Sequence, residues 1–555
     1  MSQTNKNSLI IAVIAGLIYL PFLGGVHLFD WDEINFAEIA REMVVLDDYL
    51  RIHVNFIPFT EKPPLFFWMQ ALSMEVFGIG EYAARFPNAI CGIITLVYLY
   101  RLGEKLIDTR FGWLWAGAYF GSILPTMYFK SGIMDPWFNL FIFLGIMHLI
   151  AYYWRKDDVE GSPFEKKKWK YLVLAGVFTG LGIMLKGPVA YLITALTLGV
   201  YWILLRFRFY INVKEVLLYT VIALAVTGLW YGADALVNGP QFAIEFTIRQ
   251  WTIFSTPDAG HAGFPGYHFV VLFVGCFPAS IFLIRAHGNL NLQTKSLIDM
   301  KKWMIILFWV VLILFTIVKS KIVHYSSMAY FPITFLAALT IYQMWDLKIN
   351  WKKWMGITMV VFVFLFGTVI IIFPWLGMNT DIIRPLFSKD PFAMANLDAD
   401  VTWTGLESIA GILFIGIVIA FLILRKKGLW KRATIILFGG IGIFVFLTII
   451  LFIKKIEGYS QNAAIEFYKS KQGCDCYVVP ERFKSYGQLF YAQPMPGSSE
   501  KRTDKEWLKT GDIDKDAFFV AKINKTDRLE KLDDIEFLYE KNGFTFWKRE
   551  AVSQP

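Results

Sequence analysis

Charged residues are scarce in this chain. Asp, Glu, Lys and Arg make up 18% of its 555 residues, whereas hydrophobic residues make up 56% and aromatic residues 17%. Soluble globular domains usually carry about 25% charged residues. The composition therefore excludes an ordinary soluble enzyme and predicts a polytopic membrane protein.

Cysteine is rare as well, with four residues in the whole chain. Cys91 and Cys276 fall in apolar segments. Cys474 and Cys476 are so close in sequence that we expect no easy disulfide between them. The cysteines therefore imply no thiol chemistry.

The sequence also lacks internal repeats, low-complexity tracts and a small-residue cleavage site after its first apolar segment. Without such a site, residues 9–22 are expected to remain as an uncleaved first span. Many transporters are built from repeats with broken spans, so the missing repeat argues against that class.

Long apolar segments, in contrast, are abundant. A bilayer span needs about 20 mainly apolar residues, and this length predicts an all-α fold with thirteen membrane spans. The predicted spans are residues 8–24, 83–106, 111–129, 135–154, 170–186, 188–206, 214–236, 266–286, 302–318, 326–345, 353–376, 405–424 and 431–453.

Basic residues are concentrated in alternate loops, for example in residues 101–110, 155–168 and 425–432. The positive-inside rule places these loops and the amino terminus in the cytoplasm. The net charge of +9 thus records membrane topology, and no nucleic-acid partner is expected. The remaining loops and the carboxyl terminus then lie on the outer side.

Two regions outside the spans are long enough to fold. In the first outer loop, residues 25–82, we expect an amphipathic surface helix over 33–45 and a second helix over 65–77, after two prolines. Residues 456–555 are polar and predict a small soluble α/β domain beside a transmembrane domain of residues 1–455. Strands are expected near 477–479 and 518–521, a helix over 482–492 and a hairpin turn at Asn542-Gly543.

Carboxylates follow the first span directly, in the segment Asp30-Trp31-Asp32-Glu33. Charges beside the hydrocarbon layer cost free energy to desolvate, so their presence indicates function. The structural alternative is that Asp32 caps the following helix. Other unusual polar residues fall on the same predicted side of the membrane: Glu61, Lys62, Asp135, Lys186, Arg249, Asp258, His261, His268, Lys319, Lys321, His324 and Tyr325.

The chemistry of these groups indicates a lipid-linked phosphate substrate. Carboxylates can act as general bases or metal ligands, and lysines and arginines at the membrane boundary can bind a phosphate at headgroup depth. Apolar spans and surface helices could hold a lipid tail. Attack on such a substrate would take place at the outer face.

Several motifs resemble those of a known family. Residues 32–43 resemble the first-loop signature of bacterial aminoarabinose transferases and their protein O-mannosyltransferase relatives, and residues 60–64 resemble the next motif of the aminoarabinose branch. Residues 186–188, 256–261 and 319–325 resemble later motifs in the same order. The resemblance covers residues 8–345 and implies a glycosyltransferase C-type membrane fold with polyprenyl-phosphate sugars as donors.

The resemblance also implies catalytic residues. Asp32 corresponds to the family's catalytic carboxylate, which orients or deprotonates the acceptor oxygen as it attacks the anomeric carbon. Asp135 corresponds to a second acidic residue at the outer end of a span, with a helix cap before Pro136 as the alternative. Glu33 is a third candidate from the first motif, for which support of the loop is the favoured role.

Lys62 resembles the family's phosphate-binding lysine. The further candidates for donor-phosphate binding are Lys186, Arg249, Lys319, Lys321, His324 and Tyr325, although cations at the interface also reach headgroups without function. Glu61 corresponds to a metal-ligating glutamate with His261 as its partner, so zinc or a similar divalent metal is a possible cofactor. The alternative for Glu61 is a salt bridge to a nearby base. No soluble organic cofactor is expected.

These observations predict an inner-membrane glycosyltransferase that moves a sugar from a polyprenyl phosphate to a lipid A-like lipid or another periplasmic acceptor. Its other partners would be membrane lipids. A protein O-glycosyltransferase of the same fold is one alternative. A transporter or flippase for lipid-linked sugars is another, although it would place charges near the bilayer midplane. The sequence identifies neither the sugar nor the acceptor.

Overall fold

The structure is a computed structural model that describes residues 1–255, 263–346, 348–497 and 500–552. Most of these residues are helical. The α-helices are α1 Gln3–Tyr19, α2 Asp32–Leu46, α3 Leu65–Phe77, α4 Glu81–Leu106, α5 Thr109–Phe120, α6 Ile123–Tyr128, α7 Asp135–Lys156, α8 Lys168–Lys186, α9 Val189–Leu204, α10 Val213–Asn238, α11 Gln241–Ser255, α12 Tyr267–Gly275, α13 Ala279–Ala286, α14 Lys295–Ile317, α15 Tyr330–Trp345, α16 Lys353–Met378, α17 Arg384–Phe387, α18 Pro391–Asn396, α19 Ile409–Lys426, α20 Trp430–Thr448, α21 Lys454–Gly458, α22 Asn462–Ser470, α23 Gly487–Ala492 and α24 Lys505–Thr510. The strands are β1 His53–Val54, β2 Ile57–Pro58, β3 Tyr477–Glu481, β4 Ala517–Lys522, β5 Glu536–Lys541 and β6 Phe544–Arg549.

The chain is a multi-pass membrane protein with the predicted all-α fold, but the count of thirteen spans is not confirmed. In the described ranges, eight helices are long and apolar enough to cross a membrane, and the pair α12–α13, bent by 114°, can make a ninth. The other four predicted spans contain the shorter helices α1, α5, α9 and α15, of 17, 12, 16 and 16 residues. Apolar residues continue beyond their ends into turns, as after Tyr19, so apolar length overestimates helix length.

Helix α7 lies at the centre of the bundle, packed against α4, α8 and α9. Within its most apolar stretch 78% of residues are buried, compared with 22% in α10 and α16. The latter two therefore lie at the periphery, where apolar side chains suit contact with lipid. Because α7 begins at Asp135, the central helix carries a carboxylate at its amino-terminal end.

The first loop contains the two predicted helices, but α2 is not a surface helix. Helix α3 has the predicted bounds of 65–77, whereas all residues from Glu33 to Met43 of α2 are buried. Helices α3 and α23 pack against α2. The polar residues from which we predicted a water-exposed face instead form pairs inside the protein. Nε of Arg41, for example, lies 2.7 Å from Oε2 of Glu38.

The carboxyl-terminal region contains the predicted small α/β unit. Its sheet has the order β3-β4-β6-β5, with β3 and β4 parallel and the other pairs antiparallel. The hairpin predicted at Asn542-Gly543 joins β5 to β6. The division of the chain after residue 455 stays a prediction.

Two expectations for this region are wrong. The helix predicted over 482–492 is confined to Gly487–Ala492, because Arg482 has a left-handed backbone with a φ of 56° and the next residues extend toward the first loop. Cys474 and Cys476 are joined by a disulfide, although their proximity in sequence argued against one.

Candidate active site

Asp32 is the first residue of α2, at the junction of the first loop with the bundle. The position that caps α2 belongs to Trp31, and no side chain donates or accepts a capping bond there. The structure therefore does not support the alternative that Asp32 caps the helix. The side chain of Asp32 is 33% exposed, so its carboxylate is open to a ligand, and the amino-terminal end of the helix favours its negative charge.

Asp32 and Asp135 meet at the imidazole of His324. Nε2 of His324 lies 3.5 Å from Oδ2 of Asp32 and 3.8 Å from Oδ2 of Asp135. Nζ of Lys186 donates to Oδ1 of Asp135 at 2.6 Å. Four residues predicted from distant parts of the sequence thus form one cluster. Burial lowers the pKa of His324, and the Asp135 carboxylate opposes that shift.

Lys62 approaches the same cluster from the first loop. Burial lowers the pKa of its ammonium, and so does the nearby charge of Lys186, whereas the carboxylates of Asp32 and Glu61 raise it. Two ammonium groups that repel each other at a partly buried site favour an anion between them. Lysine is a common phosphate ligand, so this arrangement suits the predicted donor phosphate. We use the name acid–base cluster for Asp32, Lys62, Asp135, Lys186 and His324.

Glu61 forms an ion pair at the edge of the acid–base cluster. Its Oε2 lies 3.6 Å from Nη2 of Arg249, which matches the alternative of a salt bridge to a nearby base. His261, the predicted second metal ligand, lies outside the described residues. Across the described ranges, no group of three or more His, Cys, Asp and Glu side chains could hold a metal ion. The described residues therefore do not form a metal site by themselves, and the metal stays a prediction.

Glu33 ties the first loop to the bundle. Its carboxylate accepts hydrogen bonds from Arg85 at 2.8 and 2.9 Å and from the backbone N–H groups of Phe29 and Gly132. Arg85 also donates to three backbone carbonyls within residues 23–27. Burial raises the pKa of Glu33, but the Arg85 charge and these hydrogen bonds outweigh it and lower the pKa. This is the geometry of a supporting residue, not of an available base.

Three further phosphate candidates have different surroundings. Nζ of Lys321 donates to three carbonyls within residues 315–318, so it caps α14 and the expected phosphate role is corrected for this residue. Lys319 is exposed and outside the acid–base cluster. The ring centre of Tyr325 lies 5.1 Å from Nζ of Lys186, a distance at which the ring stabilises the ammonium.

Sequence reasoning missed polar residues, in the spans or beside them, that shape the site. Arg85 anchors Glu33, and Nδ2 of Asn88 donates at 2.6 Å to two carbonyls within residues 131–133, just before Asp135. Nζ of Lys130 donates to backbone carbonyls at the end of α1. For Arg85 and Asn88, a polar residue inside an apolar span was the available signal.

The segment 484–486 of the carboxyl-terminal region holds the first loop two residues before α2. Asp30 accepts hydrogen bonds from the Ser485 hydroxyl and from the backbone N–H of Tyr486. The Trp31 and Tyr486 rings meet edge to face at 5.9 Å, and Nζ of Lys484 lies 4.1 Å from the centre of the Trp31 ring. No local sequence pattern predicts this contact, because it joins residues more than four hundred positions apart.

Comparisons with known proteins find similar glycosyltransferases. A family model described as dolichyl-phosphate-mannose-protein mannosyltransferase matches residues 61–231. An undecaprenyl phosphate-alpha-4-amino-4-deoxy-L-arabinose arabinosyl transferase of Photorhabdus laumondii is 26% identical over 339 residues, which cover 59% of this chain and 58% of the relative. A transferase of the same name from Shewanella sediminis is 23% identical over 390 residues, 67% of each chain. The chain thus spans less than two thirds of the length of the first of these relatives.

Solved structures show the same fold. ArnT from Cupriavidus metallidurans bound to undecaprenyl phosphate superposes with a TM-score of 0.75 over 100% of both chains, at 15% identity. An archaeal oligosaccharyltransferase, AglB from Archaeoglobus fulgidus, superposes with a TM-score of 0.51 over 94% of this chain and 70% of AglB, at 11% identity. The resemblance found in the sequence is therefore confirmed: the chain is similar to the aminoarabinose transferases and has their glycosyltransferase C-type fold.

Proposed function

We propose that this chain is a membrane glycosyltransferase that moves a sugar from a polyprenyl-phosphate donor to an oxygen of a lipid or other periplasmic acceptor. The observation that carries the proposal is the acid–base cluster, in which two carboxylates meet an imidazole and two ammonium groups at one end of the bundle. The names of the similar transferases and the undecaprenyl phosphate bound to ArnT support this choice of donor. We place the protein in the bacterial inner membrane, with its amino terminus in the cytoplasm and its cluster on the periplasmic side.

Asp32 is the proposed catalytic carboxylate. The acceptor oxygen forms a bond to the anomeric carbon, its proton passes to Asp32, and the bond between that carbon and the phosphate oxygen breaks. The phosphate leaves with the bonding electron pair. The exposed fraction of Asp32 leaves room for the acceptor, and Nε2 of His324 lies 3.5 Å from its Oδ2. A well-placed general base contributes about 10²–10⁴-fold to a rate.

Lys62 and Lys186 are the proposed phosphate ligands. Negative charge grows on the departing phosphate, and ammonium groups that are already in place stabilise it without further reorganisation. Asp135 holds Lys186 through the bond of 2.6 Å, so its role in this proposal is to position that ammonium. A divalent ion at Glu61 would neutralise the same phosphate when bound, but no step here depends on one.

The acceptor is either a lipid or a protein. The similarity to aminoarabinose transferases favours a lipid A-like acceptor, whereas the match of residues 61–231 to a mannosyltransferase model supports a protein acceptor of the same chemistry. Deletion of the gene followed by mass comparison of outer lipids and exported proteins separates the two, because the missing sugar identifies the acceptor class. Lipid-linked sugar stranded on the inner leaflet, with both classes unchanged, would instead indicate a flippase.

The role of Asp32 is tested with Asp32→Asn in reconstituted membranes supplied with labelled polyprenyl-phosphate sugar. We expect transfer to fall by at least about 100-fold with donor binding retained, because the amide cannot accept the proton. The matched control is Asp47→Asn at the other end of α2: Asp47 is exposed and has a φ of 52°, a conformation that asparagine adopts readily. Equal activity in both variants would remove Asp32 from the mechanism.

A further inference from the structure

The β1–β2 hairpin precedes Lys62 in the first loop, and its turn has an unusual backbone. Asn55 and Phe56 form this two-residue turn, with φ angles of 55° and 57°. Turns of this kind favour glycine at the second position. A side chain as bulky as that of Phe56 rarely adopts a left-handed backbone unless its surroundings hold it there. The hairpin therefore depends on contacts from outside it to keep this shape.

Glu42, near the end of α2, supplies such a contact. Its Oε2 accepts a hydrogen bond of 2.8 Å from the backbone N–H of Phe56. The guanidinium carbon of the neighbouring Arg41 lies 5.7 Å from the centre of the Phe56 ring. On the other side of the turn, Arg502 donates to the backbone carbonyl of Asn55. Because Glu42 is fully buried, water does not easily replace its oxygen as the acceptor.

The oxygen of Glu42, and not its charge, is what the Phe56 N–H requires. Arg41 donates two hydrogen bonds, of 2.7 and 2.8 Å, to the carboxylate of Glu38. Burial and the charge of Glu38 raise the pKa of Glu42 and outweigh the Phe56 hydrogen bond and the Arg41 charge, which lower it. The neutral form of Glu42 is thus favoured, and a neutral amide of the same size can take its place.

Little chain separates the hairpin from Lys62. Strand β2 ends four positions before Lys62. Within this short segment, the backbone N–H of Phe59 donates to the carbonyl of Ile52 at 2.8 Å, and the hydroxyl of Thr60 donates to Glu245 of α11 at 2.8 Å. The residue after Lys62 is a proline, which restricts the backbone of Lys62. A shift of the hairpin is therefore passed on to the Lys62 ammonium.

We propose that Glu42 is a positioning residue for Lys62, on which it acts through the β1–β2 hairpin. The inference rests on the proposed function, in which Lys62 binds the donor phosphate. Asp32 is the first residue of the same helix, about 15 Å before Glu42 along its axis. Helix α2 thus carries the proposed base at one end and fixes the place of a phosphate ligand from the other.

The test measures binding of radiolabelled undecaprenyl phosphate to the full-length protein in mixed micelles at constant ionic strength. Glu42→Met removes the oxygen acceptor and keeps a side chain of similar length, whereas Glu42→Gln keeps the acceptor. The matched control is Thr545→Val, which removes a buried hydrogen bond to the carbonyl of Ala521 within the carboxyl-terminal sheet.

We expect Glu42→Met to weaken binding about tenfold, because a charge-assisted hydrogen bond from Lys62 to the phosphate is lost. Glu42→Gln and Thr545→Val should bind like the wild type. Lys62→Gln should weaken binding by a similar factor, and Glu42→Met should add no further loss in its presence, because both changes remove the same contact. Hydrogen exchange of residues 53–62 should be faster in Glu42→Met and unchanged in Glu42→Gln.

Three results would overturn the positioning role: wild-type binding in Glu42→Met, equal losses in Glu42→Met and Glu42→Gln, or losses that multiply in the double variant with Lys62→Gln. Wild-type binding in Lys62→Gln would instead overturn the proposed phosphate site, and this inference with it. If Glu42→Met lowers the unfolding temperature more than Thr545→Val does, Glu42→Asp replaces it. This variant keeps the acid but is too short to reach Phe56, so the same loss of binding is expected.

Discussion

The buried pair of Asp135 and Lys186 provides a quantitative prediction. The two side chains are 4% and 14% exposed, and their charged atoms are 2.6 Å apart. Lys186→Met keeps the length of the side chain but removes its charge. We expect this variant to lose both stability and transfer, the first because Asp135 is left buried with its charge, the second because the donor phosphate loses a ligand.

The loss of stability can be estimated from the structure. The direct attraction of the pair is about 6 kcal/mol at an effective dielectric constant of about 20, most of which offsets the cost of burying both charges. Removal of one partner from a buried pair costs about 3–5 kcal/mol. Loss of the Lys186 charge removes one of the causes that lower the pKa of His324. This imidazole, 3.8 Å from Asp135, can then take up a proton and compensate part of the carboxylate charge, so we expect a loss of about 3 kcal/mol.

The assay is a double-mutant cycle on the free energy of unfolding in mixed micelles, titrated with a denaturing detergent. The double variant Asp135→Asn with Lys186→Met carries no uncompensated charge, so it should regain about 2 kcal/mol relative to Lys186→Met. Its transfer activity should stay low, because the phosphate ligand is still missing. A single variant as stable as the wild type, or a double variant with full activity, would refute this reasoning.

Three further predictions follow from contacts of the first loop. Glu33→Gln should lower stability and activity together, because it breaks the buried pair with Arg85 at 2.8 Å; unchanged thermal unfolding would contradict a supporting role. Ser485→Ala should lower kcat more than donor KM in steady-state assays, because it loosens Asp30 near α2, and an unchanged kcat would contradict that role. Burial lowers the pKa of Lys62, so activity should decline at a pH below the usual lysine value of about 10.4 as this ammonium loses its proton. Lys62→Arg should shift that decline to higher pH, and a pH profile identical to that of the wild type would show that Lys62 does not control it.

Two elements were predicted correctly from patterns of neighbouring residues. Helix α3 begins after its two prolines and has the predicted bounds, and the turn at Asn542-Gly543 joins β5 to β6 as expected. The position of helix α2 was predicted correctly, but the prediction that it lies on the membrane surface was wrong, because it is buried. A polar face looks the same in sequence whether water or a buried partner satisfies it, and here Arg41 pairs with Glu38 inside the protein.

The sequence predicted that four residues of the candidate site lie together, but not which of their atoms are in contact. From the order of the motifs and the predicted side of the membrane, we expected Asp32, Asp135, Lys186 and His324 to lie close together. They are close together in the structure. Lys321 was misassigned because spacing alone does not tell whether an ammonium reaches a ligand or the carbonyls that end its own helix. Contacts between the first loop and the carboxyl-terminal region depend on tertiary packing, for which a single sequence has no local signal.

The most direct test of the central claim is an experimental structure of the protein with a polyprenyl phosphate bound. We predict that the phosphate oxygens lie within about 3 Å of the ammonium groups of Lys62 and Lys186, with the Asp32 carboxylate facing the same space. A phosphate bound away from these lysines, or separated from Asp32 by protein, would contradict the proposed site of sugar transfer.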